Sequence, residues 1–271
     1  MEITGYACAL LVGISLGVFG SGGSILTVPI MVYLFRLNPI DATGYSLFVV
    51  GITSLIGCIT YLRKKLVVLR IALIFSVPSI FSVFITRKFL LPAIPNPVFV
   101  SHSFILSKEI LIMILFAILM MIVAYNMIRK VEYNEPDEKV ILNPNYLWLF
   151  CIGFLSGILT GILGVGGGFI IIPALVLFAK IPIRMSVGTS LLIIAFNSLS
   201  GFLEEVIAHH EVLNYNFLFM FSVFSITGIF IGFRLTLKLY PSQLRKMFGW
   251  FVLIVGISVF IKEVFLGKFN I

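Results

Sequence analysis

The stretch GVGGGFIIIP, residues 164–173, lies inside a run of 34 residues, 146–179, that holds no charged side chain. Consecutive glycines in such a run are unusual, because glycine weakens a helix and permits backbone conformations that other residues resist. A similar stretch, GSGGSILTVP, occupies residues 20–29, also within a charge-free run. Both stretches therefore predict a helix that is broken inside an apolar segment.

The remainder of the chain is also strongly apolar. Of its 271 residues, 60% are hydrophobic and 11% are charged, and the mean hydropathy is +1.17. A soluble domain is nearer half apolar and a quarter charged. Apolar segments of roughly 20 residues suit a hydrocarbon core about 30 Å thick. The sequence therefore predicts an all-α polytopic membrane protein in a lipid bilayer, and we interpret the N-terminal run as its first membrane segment.

The sequence repeats itself. A shift of 144 residues places residues 13–57 on residues 157–201 without a gap, and it aligns seven glycines as well as Pro29 with Pro173. Apolar composition alone would not align so many glycines. We predict two homologous four-segment repeats, each opening with a glycine-broken helix that either crosses the membrane or is re-entrant. The predicted parts are residues 1–128, the polar linker 129–145, and residues 146–271.

The two breaks predict a site for an anion. Backbone that leaves a helix at membrane depth must be buried in protein or face a watery cavity. The helix that restarts after a break offers free N–H groups and the positive end of its dipole. Paired breaks in two repeats indicate a transporter's substrate site near the midplane. The predicted backbone donors are Ser21, Gly22, Gly23, Ser24, Gly166, Gly167 and Gly168, and the predicted side-chain donors are Ser46, Thr189, Ser190 and Asn197. For each side chain, a hydrogen bond between neighbouring helices is the alternative.

Other chemistries have weaker support. The chain has no HExxH motif and no carboxylate pair in the middle of a segment, so we predict neither an enzyme nor a cofactor or metal site. The cluster of Glu204, Glu205, His209, His210 and Glu211 is interpreted as a polar helix end and loop. A metal site or a proton-coupling role for these acids stays open.

Charge and cysteine placement exclude further classes. The net charge of +8 comes from Lys and Arg residues that flank apolar runs, where they act as headgroup anchors. Nucleic acid is therefore not an expected partner. Cys8, Cys58 and Cys151 lie far apart inside apolar runs, as expected of packed thiols rather than disulfides or metal ligands.

The basic residues also predict the topology. If each glycine-broken run is a re-entrant hairpin, thirteen Lys and Arg share one face of the membrane and six the other, Arg87 and Lys108 among the six. If each run crosses once, the division is ten against nine. Because cytoplasmic loops carry an excess of basic residues, we predict inverted repeats, a cytoplasmic linker and both termini outside.

The motif GVGGGFIIIP followed by VGTSL resembles the TauE/SafE family of sulfite exporters and sulfonate permeases, and GSGGSILTVP followed by TGYSL resembles it again. The resemblance extends from Gly13 to about Ile261. It implies export or uptake of small sulfur oxyanions or organosulfonates, driven by an ion gradient, in a bacterial or archaeal plasma membrane. Two departures, Ser24 in place of a third consecutive glycine and Tyr45 where the second half has Thr189, put the shape of the first half-site in question.

Several alternatives stay open at this stage. The chain could be a transporter or channel for another small anion or a carboxylate, or an intramembrane enzyme or receptor. The motifs do not encode the anion, the direction of transport or the coupling ion. A homo-oligomer is compatible with all of these interpretations.

Overall fold

The computed structural model describes residues 2–20, 22–95, 99–101, 104–128, 145–163, 168–208 and 214–263. This part of the chain has an all-helical architecture, as predicted, with one short strand pair, Phe99–Ser101 with Phe104–Leu106. The helices are α1 Glu2–Phe19, α2 Gly22–Tyr33, α3 Pro39–Arg63, α4 Leu69–Ile85, α5 Leu91–Ala93, α6 Lys108–Ile128, α7 Tyr146–Leu163, α8 Gly168–Leu177, α9 Ile183–Ala208, α10 Tyr215–Lys238 and α11 Pro241–Ile261. A π-helical turn, Thr86–Leu90, joins α4 to α5.

Capping residues fix where two of the long helices begin. α3 begins at Pro39, a residue suited to the first helical position, and the Asn38 side chain accepts a hydrogen bond from the Ile40 N–H at 3.0 Å. α10 follows Asn214, whose side chain accepts from the Phe217 N–H at 3.1 Å. Such side chains satisfy N–H groups that the helix itself leaves free.

Basic residues turn the chain after three helices. Arg36, Lys65 and Lys180 have φ angles of 56°, 57° and 51°, in the left-handed region that non-glycine residues seldom occupy. Each lies shortly after a helix end, where a cation also suits the negative end of the helix dipole. Arg36 and Lys180 are 144 residues apart, so the same turn recurs at matched positions.

The helices α1 and α2 form an antiparallel hairpin. Gly5, near the start of α1, lies against the ring of Phe35, just after α2. Gly23, at the start of α2, lies against the Val12 carbonyl of α1. A straight continuation would instead separate residues 12 and 23 by about 16 Å. The first glycine-broken run therefore turns back on itself.

The second glycine-broken run has the same form. Near the start of α7, Trp148 stacks on Phe178, which follows α8, with ring centroids 6.2 Å apart. The outer ends of α7 and α8 are therefore close together. Both glycine-broken runs fit the re-entrant interpretation.

Glycines allow the first helix of each half to pack closely on a helix of the other half. A Cβ added at Gly13 of α1 would collide with the Ser225 carbonyl of α10. One added at Gly157 of α7 would collide with the Ser79 carbonyl of α4. Small residues spaced by four are typical of such close contacts between membrane helices. The first helix of each half therefore packs against the other half of the chain.

Matched helices of the two halves run antiparallel. Gly44 of α3 lies against Glu205 of α9, and Gly51 lies against Leu199, so residue numbers rise along one helix as they fall along the other. The pair α6 and α11 behaves likewise, since Gly249 lies against Met127 and residue 256 against residue 120. Antiparallel matched helices are the geometry of inverted repeats.

Five helices of the described residues are long and apolar enough to cross a membrane, judged by length and composition. They span Pro39–Arg63, Leu69–Ala93, Tyr146–Leu163, Ile183–Ile207 and Asn216–Lys238, and shorter apolar helices span Gly5–Phe19, Ile110–Tyr125 and Lys246–Ile261. The division into two repeats and the sidedness of the membrane stay predictions, and linker residues 129–144 lie outside the described part.

Candidate functional site: the helix breaks and the α3–α9 pair

The first break begins where the sequence predicts. α1 ends at Phe19, the predicted last residue. The predicted ends at Leu163 and Gly168 border residues outside the described part and stay predictions. Gly20 adopts a left-handed φ of 66° and its N–H donates to the Leu16 carbonyl, which ends α1. Residues 21 and 164–167 lie outside the described part.

α2 begins two residues earlier than the predicted Ser24. Its first residues are Gly22 and Gly23. α2 approaches α1 so closely here that a Cβ at Gly23 would meet the Val12 carbonyl and the Leu16 side chain. The absence of a side chain at Gly23 therefore permits the first turn of α2 to pack against α1. The predicted donors Gly22, Gly23 and Ser24 accordingly lie in the first turn of α2, where backbone N–H groups lack helical partners.

The described part of the first break lies beside the start of α9. Gly20 packs against the Val187 backbone and the Ser190 hydroxyl. The Ser190 hydroxyl is 2.8 Å from the Val187 carbonyl and 3.4 Å from the Gly20 carbonyl. Thr189 Oγ1 accepts a 3.0 Å hydrogen bond from the Val68 N–H. The structure thus brings Ser190 to the described part of the first break, while Thr189 bonds to the residue that precedes α4.

The other predicted side chains lie elsewhere along the α3–α9 pair. By the antiparallel register, Asn197 is at the level of Thr53, in the middle of both helices. Ser46 is about 10 Å along the axis to one side of this level and Ser190 about 10 Å to the other, at 1.5 Å per residue. The described members of the predicted set therefore occupy three levels and do not converge on one point.

The length of the hairpins explains this separation. α1 has 18 residues, or about 27 Å at 1.5 Å per residue, so its inner end lies well beyond the middle of the protein. At the inner end of α7, Gly161 lies against Thr86, next to Arg87 in the chain. In the described part of the chain, the inner ends of α1 and α7 thus lie toward opposite ends of the α3–α9 pair.

Buried polar atoms without partners mark the central level. Asn197 donates a 2.6 Å hydrogen bond from Nδ2 to Ser79 Oγ, while Asn197 Oδ1 has no hydrogen-bond partner among the described residues. The hydroxyls of Thr53, Ser54 and Ser198 are also buried without one. Buried polar groups are normally satisfied, so this level has spare capacity for water or a polar solute.

The structure contains a buried ion pair that the sequence does not reveal. Arg87, counted there among the residues of a membrane face, is 3% exposed and its Nη1 pairs with Glu205. Its Nη2 donates a 3.0 Å hydrogen bond to Thr43 Oγ1. Lys108, also counted at that face, is buried and donates to the Leu91 carbonyl. These basic residues do not act as headgroup anchors.

The acidic residues at the end of α9 are likewise not a solvent-exposed helix end. Glu204 is 7% exposed, and the Glu205 carboxylate packs against Gly44 and Arg87. The described residues contain no group of three or more His, Cys, Asp and Glu that could hold a metal. His209, His210 and Glu211, the other members of the predicted cluster, lie outside the described part.

Comparison with known proteins identifies the family. The family model described as sulfite exporter TauE/SafE matches residues 6–259. The chain belongs to the TauE/SafE family. This TauE/SafE protein is therefore an integral membrane transporter rather than an enzyme.

Relatives of this TauE/SafE protein come from distant organisms. A probable membrane transporter protein of Xylella fastidiosa is 29% identical over 258 residues, covering 92% of this chain and 91% of its own. One from Methanocaldococcus jannaschii is 29% identical over 264 residues, covering 91% of each chain. A sulfite exporter TauE/SafE family protein of Arabidopsis thaliana is 25% identical over 176 residues, covering 65% of this chain and 40% of its own. No solved structure matches the chain.

Proposed function

We propose that this TauE/SafE protein transports small sulfur-containing anions, such as sulfite or organosulfonates, and binds them at the helix N-termini that follow the two breaks. The observation that carries the proposal is the hairpin of α1 and α2, in which Gly20 at the end of α1 lies against Ser190 of α9. An oxyanion is bound by hydrogen-bond donors and positive charge. Here these are the first N–H groups of α2, the positive end of its helix dipole, and the hydroxyls of Ser190 and the adjacent Thr189.

The antiparallel register of α3 and α9 supports two half-sites rather than one. Residues Gly22, Gly23 and Ser24 would serve the half-site beside Ser190. Residues Gly166, Gly167 and Gly168 would serve the half-site at the other break, with Ser46 on the matched turn of α3. Asn197 lies between the two levels, with its Oδ1 and the neighbouring hydroxyls available to a passing solute. Matched half-sites toward opposite faces suit alternating access.

The name of the family model supports the substrate class. Sulfite and sulfonates carry several oxygens that accept hydrogen bonds, whereas a backbone N–H cluster with hydroxyls offers donors in return. A bacterial or archaeal plasma membrane is the proposed location, because most of the similar proteins come from those organisms.

Flux in proteoliposomes tests the proposal. The full chain is reconstituted, and uptake of labelled sulfite and ethanesulfonate is compared with that of acetate and chloride. We expect saturable uptake of the sulfur anions. Uptake of acetate or chloride with no uptake of either sulfur anion would refute the substrate class.

Substitutions test the site. Ser190→Ala removes a hydroxyl, and Gly167→Val removes backbone freedom at the second break. Because a hydrogen bond to a charged group contributes about 1.5–3 kcal/mol, Ser190→Ala should reduce kcat/KM about tenfold or more. Ser258→Ala is the matched control, since Ser258 is exposed on α11 and bonds within its own helix. Wild-type flux in both site variants would show that the anion binds elsewhere.

A further inference from the structure

The buried guanidinium of Arg87 has more hydrogen-bonding capacity than its surroundings use. It projects from the π-helical turn after α4 into the region where the start of α3 meets the end of α9. Glu205 and Thr43 contact its two terminal nitrogens. Its Nε has no hydrogen-bond partner among the described residues, and neither does the fully buried Ser46 hydroxyl, one turn after Thr43.

Two carboxylates of the described residues act on the buried guanidinium of Arg87. Besides Glu205, the buried Glu204 acts electrostatically on Arg87. On the α3 side the facing residues are Thr43 and Gly44, and Asp41, in the same first turn, also has an interaction partner. Lys88 is exposed and lies over the rings of Phe84 and Phe89. The described surroundings thus place two carboxylates near one buried guanidinium, and a proton on one of them would leave one negative charge for one positive charge.

The matched position at the other end of the α3–α9 pair is uncharged. Glu205 matches Tyr61 under the shift of 144 residues. The matched glycines Gly57 and Gly201 lie against Ile229 of α10 and Val83 of α4, respectively. Positions of α4 and α10 therefore match at a shift of 146 residues. Under this shift Arg87 matches Phe233.

Tyr61 and Phe233 contact each other edge to face, with ring centroids 4.7 Å apart. An aromatic pair therefore lies at the end of the α3–α9 pair that is next to the end of α1. An ion pair lies at the opposite end, next to the end of α7. A proton or an anion can break an ion pair by replacing one of its charges, whereas it leaves an aromatic contact of this kind intact.

From this asymmetry we propose that Arg87 binds the transported anion and that Glu205 is its resident counter-ion, which leaves when it takes up a proton. The proposal rests on the proposed function and names its coupling ion. Proton uptake converts the Glu205 carboxylate to a neutral carboxylic acid, and one substrate anion then takes its place on the guanidinium. The site keeps the same total charge before and after, so one proton accompanies each monovalent anion.

Coupled flux tests this proposal in proteoliposomes of the full chain. Ethanesulfonate is the probe because it stays ionised across the pH range used, and a trapped fluorescent dye reports internal pH. We expect wild-type protein to accumulate the probe about tenfold per unit of pH gradient, the limit for one proton per anion. Substrate-dependent acidification of the lumen should accompany uptake.

Glu205→Gln separates coupling from binding. Glutamine resembles the protonated acid, so this variant should lose accumulation driven by the pH gradient yet retain exchange of labelled for unlabelled probe, with a KM that no longer depends on pH. Arg87→Gln should lose both activities. Lys88→Gln is the matched control, because its exposed side chain lies on the same turn and should leave both unchanged.

The two proposals fail in different ways. If wild-type protein moves no sulfur anion at all, the proposed function is wrong. If it moves ethanesulfonate but Glu205→Gln still accumulates it along a pH gradient, the coupling role is wrong and the function stands. Wild-type exchange provides a check that needs no variant, since a KM that is constant from about pH 5 to pH 9 would also overturn the role of Glu205.

Discussion

The hydroxyl of Tyr61 on α3 donates a 2.8 Å hydrogen bond to the carbonyl of Gly17, in the last turn of α1. Thr236 of α10 donates to the same carbonyl at 3.0 Å. Carbonyls in the last turn of a helix lack intrahelical partners, so two neighbouring helices supply them here. The end of α1, and with it the position of the first break, is therefore held from both sides.

The first prediction concerns this shared carbonyl. Tyr61→Phe should lower the unfolding free energy by about 1 kcal/mol, because Thr236 still satisfies Gly17. Thr236→Val alone should have a similar effect. The double variant should cost clearly more than the two together, since it leaves a buried carbonyl unsatisfied. Thermal unfolding in detergent measures all three, and simple additivity would contradict the shared role.

The second prediction concerns the contact of α1 with α10. Gly13→Val should destabilise the protein by about 1–3 kcal/mol or more, because the new side chain must displace the backbone of α10 at Ser225. Leu11→Val is the control on the same helix, since Leu11 is 54% exposed and should tolerate the change. The same unfolding assay compares them, and equal stability would show that α1 does not pack on α10 as described.

The third prediction distinguishes the two partners of the buried ion pair. Arg87→Gln should destabilise the protein by about 3 kcal/mol or more, because it removes the buried cation that pairs with Glu205 and acts on Glu204. Glu205→Gln should cost about 1 kcal/mol, because Glu204 and Thr43 still face the guanidinium. The reverse order of stabilities would contradict the charge arrangement proposed around Arg87.

The fourth prediction concerns sidedness. In a chain whose Cys8, Cys58 and Cys151 are replaced, a cysteine introduced as Lys268→Cys should react with an impermeant maleimide in intact cells. One introduced as Asn134→Cys should react only after permeabilisation, because the bias of basic residues predicts a cytoplasmic linker. Permeabilised cells supply the control that both thiols are reactive. External labelling of residue 134, or protection of residue 268, would refute the arrangement.

The sequence by itself determined the membrane setting, the family and the end of the first broken helix. The predicted end of α1 at Phe19 coincides with that of the structure, because glycine clusters act on the backbone within a few residues. The close packing at Gly13 and Gly157 also follows from the sequence, since small residues at a spacing of four permit helix contact wherever they face a neighbour.

Only the tertiary structure decided which polar residues share a level. Ser46 and Ser190 look equivalent in sequence, yet the antiparallel register of α3 and α9 places them toward opposite ends of the pair. Arg87 and Glu205 are 118 residues apart, and each alone looked like a membrane-boundary residue. Their contact depends on how α4, α3 and α9 pack together, and local propensities carry no information about such packing, because it is set by long-range complementarity between helix faces.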